Sequence, residues 1–256
     1  MNSVGGLFPS QITTDYDFEV VDFPSHQFEL WGLIRRTSQR CAEARAMIPS
    51  PGRTIFKSQI IESLDHVLST YLRLFDWQAT LPSSWLWQSC RIPTQEAHDP
   101  HQKPFPEKYH LFKNEHHGAM WISFWCTLIH ILQTLVHLSA LPTVQQVLSH
   151  SWHDRWGFRK RLRGAVDEIC ACAPYMMAEV DQMGLPTVGN DGKALGSFFL
   201  SRGLYVASCV EETTGAQRDY IMRTLLRIAH VKGIMLALRA RNRCLGKHIG
   251  SVEPHD

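Results

Sequence analysis

Apolar residues recur along most of this chain at steps of three and four, the spacing that builds one buried face on a helix. From Phe28, the residues Trp31, Ile34, Cys41 and Ala42 predict a helix that stops at "MIPSPG" (47–52), where two prolines and a glycine end it. Ile60, Ile61, Leu64, Val67, Leu68, Tyr71, Leu74 and Phe75 predict a second, broken by "ATLPSSW". Residues 91–114 carry four prolines and few aliphatics, which predicts a long loop. A strongly apolar helix follows, then a short one after Pro142. Leu162, Ala165, Val166, Ile169, Cys172, Ala173 and Met176 share one face of a further helix that Pro174 interrupts. A glycine-rich connection (183–196) and a short apolar segment, "SFFLSRGLYVASCV", lead into the last helix. Thr214 and Gln217 have capping-box spacing there. Tyr220, Ile221, Leu225, Ile228, Val231, Met235 and Leu238 form its expected buried stripe, and Arg239, Arg241 and Arg243 close it, where positive charge suits a helix end. Strand signals are confined to "FEVVDF" (18–23), and no internal repeat is present. The reading is all-α: a poorly ordered segment over 1–27, one helical-bundle domain with a long proline-rich loop over 28–245, and a tail over 246–256.

Between Glu115 and Asp154 there is no Asp, Glu, Lys or Arg, and "AMWISFWCTLIHILQTLVHLSAL" is long enough to cross a bilayer. Its polar residues give the better reading. Ser123, Thr127, His130, Thr134 and His137 are spaced 4, 3, 4, 3, so they form one stripe opposite Trp121, Phe124, Trp125, Leu128, Leu132, Leu135 and Val136. This predicts the core helix of a soluble bundle, continuous over Met120–Leu138, with its stripe facing polar groups or water. No membrane association is expected.

With 256 residues, 44% of them hydrophobic and 20% charged, the chain has the composition of a globular protein. Its net charge of +2 supplies no global field for nucleic acid. Seven scattered cysteines do not make a disulfide framework and point to a reducing, intracellular compartment. The N-terminus has neither the basic start nor the long apolar core of a secretory signal. No G-x-S-x-G, H-E-x-x-H or dinucleotide fingerprint occurs, and "GLPTVGNDGKAL" lacks phosphate-loop spacing. The pairs His98/His101 and His150/His153 have no cysteine or carboxylate pair at structural-zinc spacing beside them. His116-His117 opens the apolar helix, and no nearby acid is positioned to make it a base. Arg155, Arg159, Lys160, Arg161 and Arg163 crowd "RWGFRKRLR", which reads first as a solvated helix face, with a nuclear-import signal or acidic contact as alternatives. Cys170 and Cys172 on one helix point about 200° apart, so one metal does not readily take both. No catalytic residue, cofactor or metal is therefore assigned.

Ile169-Cys170-Ala171 with Pro174-Tyr175, then Gly203-Leu204-Tyr205-Val206-Ala207, then Arg218, then Ile228-Ala229 with Gly233-Ile234, stand in a distinctive order. Upstream, "LFDWQATLPSSW" supplies Trp77, Leu81, Pro82 and Trp85, and "MWISFWCTLIHILQTL" follows. This succession, over Phe28 to Arg241, resembles the C-terminal regulatory region of the fungal binuclear zinc-cluster transcription factors. The resemblance implies transcriptional regulation in the nucleus, often of biosynthetic gene clusters. It also implies that Cys170 packs a helix end as a small hydrophobe. Two departures stand out. The family's six-cysteine DNA-reading cluster has no counterpart in the sequence. Ile122, Trp125 and Leu128 occupy positions where the family pattern has an asparagine and two arginines. The expectation is a non-enzymatic effector domain acting through other regulatory proteins, a homodimer or a small apolar effector, without sequence-specific DNA binding of its own. Trp121, Phe124, Trp125 and Phe198 are the pocket candidates. The alternative is a diverged helical ligand-binding protein or enzyme, which would cluster His and acidic side chains of perturbed pKa in one cleft.

Overall fold

The computed structural model describes residues 25–47, 56–92, 105–147, 157–187 and 194–246. The "FEVVDF" segment, the pairs His98/His101 and His150/His153, Arg155, and most of the two expected terminal segments lie outside the described residues. The fold is mainly all-α, as the periodicity predicts. Helices α1 (Ser25–Ala46) and α2 (Lys57–Thr80) pack on each other, and a 3-10 turn (Ser83–Trp85) follows. Strands β1 (Gln88–Arg91) and β2 (Lys108–Leu111) come next, then α3 (Glu115–Ser139) and α4 (Pro142–Val147). The chain continues through α5 (Phe158–Ala171), α6 (Ala173–Met176), α7 (Ala194–Ser208), α8 (Gly215–Lys232) and α9 (Met235–Cys244).

Helix α3 is the axis of the molecule. It runs unbroken through Met120–Leu138 and is covered by α1, α2, α5 and α7. It is long and apolar enough to span a membrane, yet 78% of its apolar window is buried inside the protein. Its polar stripe is reconciled with that burial by its own backbone. Ser123, Thr127 and Thr134 donate their hydroxyls to the carbonyls of Ala119, Ser123 and His130, one turn earlier, at 2.7–2.9 Å. His130 is half-buried and His137 is exposed, so one edge of the stripe reaches solvent. Asn114 caps the helix, its Oδ1 accepting the His117 N–H at 3.0 Å.

Three elements differ from the sequence reading. The long loop is bounded by an antiparallel hairpin, β1 with β2, in which Ser89 faces His110 and Cys90 faces Tyr109. Four-residue strands flanking a proline-rich connection give too short an alternation to stand out. The "SFFLSRGLYVASCV" segment is mostly helix α7. Its small residues sit on the buried face, and glycine there serves close packing. A Cβ on Gly203 would lie 2.6 Å from Ile122 Cγ2 and 3.3 Å from Ile169 Cγ2. The last helix is two helices, because Gly233 at φ 67° takes the left-handed conformation that ends α8. Ile221, Leu225 and Ile228 are buried as expected, whereas Val231 and Met235 are exposed at the break. The expected interruption at Pro174 stands: α5 ends at Ala171, and the proline sits in the first turn of α6.

Candidate functional site

The four expected pocket residues do not converge. Trp121 is 0% exposed, and Phe124 and Trp125 are buried with it. Their rings belong to an aromatic core. Trp77 stacks on Phe124 at 5.8 Å and lies 6.0 Å from Trp121, and Trp87 meets Trp121 edge-on at 4.3 Å. The Trp121 indole donates to the Trp85 carbonyl at 2.8 Å, which satisfies its one polar atom. Phe198 is 47% exposed on α7 and stands against Phe199. Aromatics three or four positions apart on the covered faces of a helix become core, whatever their suitability for a ligand. Trp125 alone borders a cleft, of about 190 Å³, together with Tyr71, Phe75, Arg161 and Glu168.

A polar cluster that sequence reasoning missed lies beside that cleft. The β1–β2 register sets Ser89 opposite His110, and α5 brings Glu168 from 58 residues further along. His110 is 0% exposed, yet both ring nitrogens are engaged. Nε2 is 2.6 Å from Glu168 Oε2, and Nδ1 is 3.0 Å from Ser89 Oγ. The second Glu168 oxygen accepts from Lys108 Nζ, also at 2.6 Å. The aromatic wall is Trp87, Phe112 and Trp125, the last stacked on the imidazole at 5.7 Å.

Burial lowers the His110 pKa against the opposing pull of Glu168, so the ring is neutral at pH 7. Burial also pushes the Glu168 carboxyl up, but hydrogen bonds from His110 and Lys108, with the Lys108 charge, outweigh it and hold it below the ordinary carboxylate value. These directions fix the protons. A neutral ring beside a carboxylate donates Nε2–H to Glu168, which leaves Nδ1 to accept the Ser89 hydroxyl. The contact is thus a charge-assisted hydrogen bond from a neutral donor rather than an ion pair.

A serine hydroxyl, an imidazole and a carboxylate in line share the connectivity of a nucleophilic relay, with the two ring nitrogens exchanged relative to the familiar arrangement. The surroundings favour a different use. The cleft touches Glu168 but neither Ser89 nor His110, and Glu168 is shared with Lys108. A buried imidazole with both nitrogens satisfied ties a hairpin to a bundle. The tie continues through α5 to the start of α8. Gln217, which completes the capping box with Thr214, also donates to Asp167 Oδ1 at 2.6 Å and to the Arg163 carbonyl at 3.1 Å.

Cys170 and Cys172 are both buried, and burial pushes both thiols up. Cys172 donates to the Glu168 carbonyl at 3.2 Å. Among the described residues, no three His, Cys, Asp or Glu side chains are grouped as metal ligands. On the basic stretch, Arg161 donates to the Tyr71 hydroxyl at 2.9 Å and Arg159 lies 3.6 Å from Glu212, while Lys160 and Arg163 are exposed. Set against family models, curated proteins and solved structures, the chain matches none.

Proposed function

We propose that this chain is a regulatory domain of the kind found in the C-terminal half of fungal zinc-cluster transcription factors, acting in the nucleus through binding rather than catalysis. The observation that carries the reading is the meeting of the resembling residues in one core. Trp77 and Trp121 are in ring contact, and Trp121 bonds to Trp85. Gly203 admits Ile122 and Ile169 at close range. Ile169, Cys170, Ala171, Leu204 and Ile228 are all buried. Segments spread over some 150 residues of sequence thus act as one packing unit, which is what a shared domain pattern requires. Trp125 and Leu128, standing where the family pattern has arginines, are buried apolar residues here.

The partners proposed are other regulatory proteins, a second copy, or a small apolar effector. Without a zinc cluster and with near-zero charge, the chain lacks the groove-reading element and the phosphate-neutralising surface that specific DNA recognition needs. Tethered to an unrelated DNA-binding domain, it is expected to change reporter output or to retain a regulatory partner. The untethered chain is expected to bind DNA only weakly, with steep salt dependence and no sequence preference. A tethered chain that neither alters a reporter nor retains a partner removes the basis for this reading. A diverged enzyme is the second reading, favoured by the Ser89–His110–Glu168 line. It requires Ser89 to react covalently with a fluorophosphonate, and an unlabelled Ser89 eliminates it.

A further inference from the structure

All seven cysteines fall within the described residues, and their surroundings differ sharply. Cys41, Cys126, Cys170 and Cys172 are buried, and burial pushes each thiol up, Cys126 to about 12. Cys90 is half-buried on β1. Cys209 is exposed, just past the end of α7. Its backbone is fixed from two directions. The Cys209 N–H donates to the Val206 carbonyl at 3.2 Å, and the Cys209 carbonyl accepts from Gln133 of α3 at 3.3 Å. Cys244, the last residue of α9, stands across from it, with its Sγ 2.7 Å from the Ser208 hydroxyl. Ser208 directly precedes Cys209, so this contact sets Cys244 beside Cys209 where the two helix ends meet. The two helices pack on each other, which holds these two thiols at adjoining helix ends.

We propose that Cys209 is a site of oxidative modification by hydrogen peroxide, with Cys244 as the resolving thiol that closes a disulfide between the ends of α7 and α9. The inference is independent of the regulatory reading. The hydrogen bond from Cys244 lowers the Cys209 pKa to about 6 against the effect of burial, with Ser208 and Tyr205 assisting. Cys244, which keeps the shared proton, is pushed up. At neutral pH Cys209 is therefore mostly thiolate and open to solvent, the state that reacts with peroxides.

In the first step the Cys209 sulfur attacks one peroxide oxygen. An S–O bond forms, the O–O bond breaks, and the departing hydroxide leaves as water after taking a proton. Cys209 becomes a sulfenic acid, oxidised by two electrons as the peroxide is reduced. That step also removes the negative charge that kept the proton on Cys244. The Cys244 sulfur then attacks the Cys209 sulfur. An S–S bond forms, the S–O bond breaks, and hydroxide leaves as water with the Cys244 proton. In total, two thiols and one hydrogen peroxide give one disulfide and two waters. The four buried thiols take no part, because they are protonated and out of reach of solvent.

The test uses the purified, fully reduced chain treated with one equivalent of hydrogen peroxide. Intact mass is expected to fall by two hydrogens, and a non-reducing peptide map is expected to link Cys209 to Cys244. Cys244→Ser should instead accumulate a sulfenic acid at Cys209, captured by dimedone. Cys209→Ser should show neither product while retaining the wild-type circular dichroism. In wild type, iodoacetamide should alkylate one thiol rapidly with a pH midpoint near 6, and this midpoint should rise in Cys244→Ser. Three results overturn the proposal: a wild-type chain that keeps both thiols while Cys90 oxidises, a link from Cys209 to any other cysteine, or Cys209→Ser oxidising as wild type does.

Discussion

Replacing Glu168 tests the polar tie between the hairpin and the bundle, and two substitutions at this position separate shape from charge. Glu168 accepts two hydrogen bonds of 2.6 Å, from His110 Nε2 and from Lys108 Nζ. Glu168→Gln keeps the volume and leaves one carbonyl oxygen, which can face His110 while Lys108, whose side chain is 38% exposed, turns to water. The exposed Lys108 contact contributes about 0–1 kcal/mol. The His110 bond falls from the charged range of about 1.5–3 kcal/mol to the neutral range of about 0.5–1.5 kcal/mol. The expected net cost of Glu168→Gln is therefore about 1–2 kcal/mol. Glu168→Leu also keeps the bulk but leaves a fully buried imidazole N–H with no acceptor. That adds a desolvation penalty of about 1–3 kcal/mol, so the expected total is about 2–5 kcal/mol. Urea unfolding of the three proteins measures the order directly. In a thermal melt, each kcal/mol corresponds to roughly 2–4 °C for a chain near this length. A Glu168→Leu protein within about 0.5 kcal/mol of wild type, or as stable as Glu168→Gln, refutes the tie, since a satisfied buried donor cannot lose its acceptor without cost.

The pH dependence follows from the same groups. His110 is held below its unfolded value, so its contribution is fully present above about pH 6.5 and declines as the pH falls through the folded value. His117 and His130 shift the same way, so Tm should fall as the pH drops below about 6.5, and His110→Asn should flatten only part of that slope. Gly203→Ala should destabilise the protein despite alanine's better helix propensity. The new Cβ meets two β-branched core side chains, an overpacking cost of about 1–3 kcal/mol against a gain of about 1 kcal/mol, read by chemical denaturation. Asn114→Ala removes the α3 cap and should lower stability by about 1 kcal/mol in the same assay, while Asn114→Asp should retain it.

The helices were legible wherever an apolar stripe ran for three turns or more, as in α2, α3 and α5. Helices packed through small residues were not legible in this way. In α7, Gly196, Ser197, Ser201 and Gly203 are buried because neighbours come too close for larger side chains, and a hydrophobicity pattern registers them as a break. The end of α8 failed for a related reason, since Gly233 punctuates a run that otherwise keeps the helical step. Trp121, Phe124 and Trp125 share a face of α3, as the periodicity predicts, and of the three Trp125 borders a cleft. Their burial depends on how many helices surround α3, and one helix's sequence does not contain that number. The Ser89–His110–Glu168 line was not legible at all. His110 is flanked by Tyr109 and Leu111 in a short alternating run, and Glu168 directly precedes the apolar Ile169-Cys170-Ala171. Only the hairpin register and the docking of α5 bring them together.

The enclosure of α3 carries a consequence for biogenesis. Its cover comes from both directions of the chain, with α1 and α2 made before it and α5 and α7 made after. During synthesis, a twenty-five-residue helix with no Asp, Glu, Lys or Arg after Glu115 is complete at Ser139 while the last of its cover, α7, ends at Ser208. At about 5–20 residues per second, half of its surface stays open for several seconds. In that interval it presents to the cell the same features that a membrane-insertion or chaperone system reads as a client. Fragments that end between these two residues should therefore require a holdase to remain in solution, although they contain every residue of the helix itself.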